Sequence, residues 1–294
     1  MTGFADRLRA NRALRIAVVA ITFVLPLTNV LSGAVVVLTA RGAGARMAAT
    51  DVGAASVLVA VLVQLTGGSP AMAALGAGAL WGGALLSGLL LRRFRSVDLV
   101  AQLLVLLAVS GVIVASVLIP DARAHWQPVL EALIQAAGLP QANGLPVGWL
   151  ATLAMLMHGV IGASLLSTLF MAVVLALWLD PEGEGGEWRR RFLQLRLGRV
   201  LSTGVALVVV LILTGLVTLG GGLLLVLGTG FAAQGLAVLH WTAAERAWPR
   251  IWPLALYGLL LLGPPVAGWL LLALAVTGLV DNGVSLRRPR QDVV

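Results

Sequence analysis

Apolar positions along this chain fall into long unbroken runs, with neither a one-sided helical stripe nor a strand alternation. Eight such segments can be marked, at 16–40, 52–67, 70–91, 99–119, 149–179, 200–219, 221–240 and 253–280. Several reach the roughly 20 residues a helix needs to cross about 30 Å of hydrocarbon, and no ten-residue alternation suggests a membrane barrel. The pattern predicts an all-α polytopic transmembrane bundle, one domain over 1–294 with about eight apolar segments. The first segment is interrupted by Leu25, Pro26, Leu27, Thr28 and Asn29, and the last by Gly263, Pro264 and Pro265. Proline breaks the helical ladder, and backbone groups freed at membrane depth must be buried in protein or reach water.

Composition agrees with the runs: 60% of residues are hydrophobic and 11% charged, far from the balance of a soluble domain. The basic residues add the orientation. All 20 are arginines, and each lies between apolar segments, where Arg sets topology and favours anionic headgroups. A nucleic-acid partner is not indicated, since no separate basic domain exists. If the 92–98 loop is cytoplasmic, Arg123 is the one arginine left outside, and segments 6 and 7 form a hairpin turning at Gly220, Gly221 and Gly222. Segments 1 and 8 must then each begin and finish on the cytoplasmic side, although neither is long enough for two spans. Broken or re-entrant helices at both ends are therefore expected, in a bacterial inner-membrane protein with both termini cytoplasmic. The Arg-led N-terminal run is read as a retained anchor because its apolar stretch outruns a signal h-region.

Outside the spans, 120–148 is an outer segment in which Trp126, Val129, Leu130, Leu133 and Ile134 recur at helical spacing behind Asp121. Asp121 is read as its N-cap, and the helix as lying on the outer leaflet, with a lid over a ligand cavity as the alternative. The main cytoplasmic loop, 180–199, opens with an acidic, Gly-rich stretch and turns basic, with Trp188, Phe192, Leu195 and Arg199 on one side. It is read as a snorkelling interfacial helix or a docking surface. Asp51 and Asp98 are expected to cap the helices they precede, and Gly78 with Gly82 to allow close packing around Trp81.

Chemistry-bearing groups inside the spans are few: Asn29, Gln64, Gln102, His158 and Gln234. No carboxylate stands near the middle of a span, which argues against a carrier built on buried acids. His158 is the one ionisable group well inside a segment and the leading ligand candidate, with Gln64 and Gln102; interhelical hydrogen bonding is the bland role for these three and for Gln234. No paired-His zinc spacing, P-loop, dinucleotide fingerprint or serine elbow occurs, so neither metal nor cofactor is indicated and the chain does not read as an enzyme. The absence of Cys excludes disulfides and thiolate sites.

Several phrases carry a resemblance. Trp81 to Leu91 followed by Arg92, Arg93, Phe94, Arg95 and Ser96, the loop Leu175 to Pro181 with Phe192 to Leu197, the ending Gly278, Leu279, Val280, Asp281, Asn282 through Arg287 and Arg288, and the turn Arg41, Gly42, Gly44 together resemble the YybS-like family of bacterial polytopic membrane proteins, in its proteobacterial branch. The chain departs from that pattern at Leu179, Asp180 and the acidic insertion after Pro181, and at Gly283 and Ser285. The resemblance implies a distant likeness to the S components of energy-coupling-factor transporters, helical bundles that bind a vitamin or metal and dock on a transmembrane partner. Ala13 and Ala17 match the alanine spacing of the S-component coupling face.

Two functions fit these residues. The first is S-component-like binding or transport of a small solute, at a cavity near His158, Gln64 and Gln102. The second is a membrane scaffold or assembly factor acting on a protein partner through Arg92, Arg93, Arg95, Arg189, Arg190, Arg191 and Arg196.

Overall fold

The computed structural model describes residues 2–25, 27–138, 148–180, 187–249 and 251–287. Pro26, most of the acidic stretch, Arg250, Arg288 and Arg290 lie outside the described residues. Every regular element among the described residues is helical. In chain order they are α1 (Thr2–Ala10), α2 (Arg12–Val24), α3 (Asn29–Ala43), α4 (Ala45–Leu65), α5 (Pro70–Phe94), α6 (Val97–Leu118), α7 (Ala122–Ala136), α8 (Trp149–Leu179), α9 (Glu187–Leu193), α10 (Gly198–Leu213), α11 (Val217–Glu245), α12 (Trp252–Leu261) and α13 (Pro264–Val284).

Six of these, α4, α5, α6, α8, α11 and the body of α13, are long and apolar enough to cross a membrane, and α3, α10 and α12 are shorter apolar helices. The chain is a multi-pass membrane protein with six such helices among the described residues, against about eight apolar segments expected. The difference comes from the first segment and from α10. The first apolar segment is split into α2 and α3, of 13 and 15 residues, each only about 20 Å long at 1.5 Å per residue. The last is split into α12 and α13 at Gly263, whose φ of +111° a side-chain-bearing residue rarely adopts.

Local chemistry sets the boundaries. Asn11, Ser69, Ser96 and Asp121 each accept a hydrogen bond from the backbone N–H three residues on, capping α2, α5, α6 and α7. Pro70 and Pro264 stand in first turns, where a missing N–H costs nothing. Asp51 and Asp98 are not the caps they were expected to be. Gly44 caps α4, which starts before Asp51, and Ser96 caps α6.

The hairpin between α10 and α11 turns at Thr214–Leu216 around Gly215, with φ +95°, and the expected turn glycines 220–222 lie inside α11. They serve contact. A Cβ on Gly159 of α8 would stand 2.4 Å from the Cα of Gly222, so only glycines allow the two helices this approach. Gly78 and Gly82 have nothing within reach of a Cβ; close packing in α5 falls on Gly83, against Leu169, and Gly88, against Ala40 and the Val37 carbonyl.

The core gathers Val35, Val37, Trp81, Leu166, Val105, Val226 and Phe231 from α3, α5, α8, α6 and α11. The Trp81 indole donates to Ser32 Oγ at 2.8 Å, and Ser32 donates to the Val19 carbonyl at 2.7 Å. That chain ties α5 and α3 to α2 in an interior where an unpaired donor would be costly. Large apolar side chains such as Val57, Val61, Leu213 and Trp269 face outward, as expected of helices surrounded by lipid.

Candidate functional site

Three aspartates organise the arginine side. Asp51 of α4 accepts from Arg12 Nε at 2.7 Å and Arg15 Nε at 2.9 Å, and Arg15 also donates to the Leu8 and Arg9 carbonyls. Asp180, at the end of α8, is paired with Arg9 and, at 3.2 Å, with Arg41. Arg9 precedes α2 and Arg41 lies in the last turn of α3, so both ends of the first broken pair meet at one carboxylate.

Asp281, near the end of α13, is completely buried. It accepts from Arg287 Nη2 at 2.5 Å, from Gln234 Nε2 at 3.0 Å and from the Leu286 N–H at 3.1 Å. Arg287 spends its remaining donors on the Leu193 and Leu195 carbonyls, and Gln234 accepts from the Leu197 N–H at 2.9 Å. The second broken pair is thereby anchored to the 193–197 turn. Buried charges persist in such a setting only when paired and fully hydrogen-bonded. Gln234 has the interhelical role expected of it; the aspartates' partners lie between 5 and 171 residues away in sequence.

Of the arginines expected to face a partner, Arg92, Arg93, Arg95 and Arg196 are exposed. The Arg92 side chain donates to the Gly42 carbonyl, that of Arg191 to the Arg95 carbonyl and that of Arg196 to Ser285 Oγ at 3.5 Å, and the Arg196 backbone N–H donates to Asp98 at 3.1 Å. Arg93 lies 5.6 Å from the centre of the Phe94 ring. Arg189 and Arg190 are exposed on α9.

At the opposite end, α7 turns back beside α8. His158 is 8% exposed and has Ser116 Oγ of α6 at 3.5 Å from its Nδ1. The Trp126 ring of α7 stands edge-on to it, with centroids 6.3 Å apart, and His125 stacks edge-on to Trp126. Trp126 Nε1 and His158 Nε2 are buried without a hydrogen-bond partner, the two side-chain atoms in that state among the described residues. A cavity of about 450 Å³ is lined by Pro120, Asp121, Ala122, Arg123, Met155 and Thr218, with neither Trp126 nor His158 in its wall. Met155 is one helical turn from His158, and Ala122 one turn from Trp126, so these two lining residues share a helix face with an unpartnered ring.

The three expected ligand residues do not converge. Gln64 is exposed near the far end of α4, a helix packed on α2, α3 and α5. Gln102 donates to the Arg196 carbonyl on the arginine side, at 3.3 Å. Of the three, only His158 has a cavity-lining residue, Met155, within one turn on its own helix. Its partners Ser116 and Trp126 carried no motif; the helical spacing of Trp126 was visible, its missing acceptor was not. Among the described residues no cluster of three or more His, Asp or Glu side chains could hold a metal ion. Compared with known proteins, the chain matches no family model, no curated protein and no solved structure.

Proposed function

We propose that this chain is an inner-membrane protein of the YybS-like, S-component-like kind that binds a small hydrogen-bond-accepting solute from the outer side. The observation that carries this reading is the pair of buried, unpartnered ring nitrogens, each one helical turn from a residue that lines the outer cavity. An unmade hydrogen bond at a buried group costs about 1–3 kcal/mol, and a bound acceptor recovers that. When Ser116 donates to His158 Nδ1, His158 Nε2–H becomes a donor beside Trp126 Nε1–H, and Arg123 adds positive charge at the rim next to the Asp121 carboxylate, which accepts from the Ala124 N–H. A small carboxylate has the matching chemistry. In this reading the arginine face is cytoplasmic, and the two broken helix pairs are re-entrant elements whose ends return to it.

The test is thermal denaturation of the purified chain with a panel of mono- and dicarboxylates. A carboxylate at 100 times its dissociation constant stabilises by about 2.7 kcal/mol, a rise of roughly 5 °C in a chain of this size. Trp126→Phe keeps the ring and removes the N–H, and with His158→Ala it should weaken binding about tenfold. A panel that leaves the midpoint unmoved, or variants that bind like the native chain, would reject the reading.

The exposed Arg189 and Arg190 on α9 keep the scaffold as the second reading. It requires that Arg189→Gln with Arg190→Gln abolish capture of a protein partner while His158→Ala leaves it intact.

A further inference from the structure

Two opposite charges, Asp121 and Arg123, share the wall of the outer cavity. The Asp121 carboxylate accepts one bond, from the Ala124 N–H to Oδ1 at 2.9 Å, and the Arg123 side chain makes one, from Nε to Gln127 Oε1 at 3.2 Å. Asp121 Oδ2 and both terminal nitrogens of Arg123 are left over. The two residues form no ion pair with each other, because positions two apart on a helical turn do not face one another. The cavity therefore holds a negative and a positive group at separate places on its wall.

A third polar element is the start of α11. Its N-cap, Leu216, brings no side-chain acceptor, and the N–H groups of Val217, Thr218 and Leu219 precede the first helical bond, from the Gly220 N–H to the Leu216 carbonyl at 2.8 Å. Thr218 brings this helix end to the cavity wall. Among the described residues its hydroxyl is the one threonine hydroxyl without a hydrogen bond; the others, such as Thr22, Thr152 and Thr229, donate to a backbone carbonyl. A free hydroxyl and three free N–H groups at the positive end of a 29-residue helix favour an anion. Met155 and Ala122 supply apolar wall between the polar groups, and about 450 Å³ lies within the range of small-molecule sites, about 300–1,000 Å³.

We propose that the small carboxylate taken by this cavity is an amino acid, its α-carboxylate on the free start of α11 and Thr218 and its ammonium on Asp121. The inference rests on the reading of the cavity as a carboxylate site and narrows its ligand to a zwitterion. An ammonium has donors and no acceptor, so of the two charged groups on the wall only Asp121 receives it. Arg123 and, one turn from the wall, the N–H groups of Trp126 and His158 are left for an acceptor on the side chain of the amino acid.

The experiment is calorimetric titration of the full chain in detergent with matched pairs, aspartate against succinate and glutamate against glutarate, whose members differ by one ammonium. In at least one pair the amino acid should bind about tenfold more tightly, the effect of one hydrogen bond to a charged group. Asp121→Asn keeps the cap of α7, since Asn caps as well as Asp, and should erase that preference without weakening the dicarboxylate. Thr218→Val should weaken both members of the pair alike, by about fivefold. Thermal midpoints of both variants, measured in parallel, establish that they are folded. Equal affinities within both pairs would overturn the proposal and leave the carboxylate reading standing, whereas binding of none of the four would reject both. A preference that survives in folded Asp121→Asn would overturn it as well, since the ammonium would then be held elsewhere, and so would unchanged affinities in folded Thr218→Val.

Discussion

Gly278→Ala should loosen the attachment of α13 although it adds one methyl group to a helix. The new Cβ would stand 2.1 Å from the Phe231 carbonyl oxygen and 2.8 Å from the Gly235 nitrogen, both backbone atoms of α11 that no rotamer change can move. Restoring a 3.4 Å contact needs a retreat of about 1.3 Å by α13 at the crossing. Gln234 holds Asp281 and Asn282 at 3.0 Å less than one and a half turns away, and the same retreat carries both bonds past the roughly 3.2 Å limit. One of these bonds has a charged acceptor, so their loss costs about 2–4 kcal/mol. Overpacking adds about 1–3 kcal/mol, and the better helix propensity of Ala returns about 1. The net is a destabilisation of about 2–6 kcal/mol, a fall of roughly 4–12 °C in thermal midpoint by tryptophan fluorescence or light scattering.

Gly268→Ala is the matched control, because the same methyl on the same helix meets nothing within 4 Å. It should be neutral or stabilising by up to about 1 kcal/mol. If Gly278→Ala melts with Gly268→Ala, the backbone contact between α11 and α13 does not exist as described.

Asp281→Asn leaves the Arg287 guanidinium, whose side chain is 4% exposed, without its counter-charge, at a cost of about 3–5 kcal/mol; Asp281→Asn with Arg287→Gln should recover part of it, and strictly additive midpoints would show that the two residues are not coupled. For topology, the absence of Cys makes single-cysteine labelling clean: Asp6→Cys and Ala247→Cys should react only from the arginine side, Ala137→Cys only from the other, and labelling of Asp6→Cys from the outside of intact cells would reject the re-entrant arrangement.

Legibility followed the range of the interaction. The interruptions at 25–29 and 263–265 could be read because proline and glycine act on their own backbone, and α8 spans the same residues as its apolar run, 149–179. Glycine between apolar runs was ambiguous. In water it marks turns, whereas against lipid it marks helix contact, so Gly220–Gly222 were misplaced while Gly215 went unnoticed. Asp51 shows the same limit for charges: a capping role needs only local sequence, while pairing with Arg12 and Arg15 depends on a fold that brings positions 36 and 39 residues apart together. His158 could be singled out as an isolated ionisable group in a span. Trp126 could not, since its significance lies in a bond it does not make.

Asp180 imposes a schedule on biosynthesis. The helices whose ends it gathers are complete by Ala43, yet the carboxylate lies at the end of α8. At about 5–20 residues per second, it follows Arg41 out of the ribosome by roughly 7 to 30 seconds. For that interval α2 and α3 are held without the carboxylate that later joins their ends. A chain halted before residue 180 should therefore hold its first hairpin loosely, and arrest of translation on either side of that codon separates a provisional N-terminal topology from a locked one.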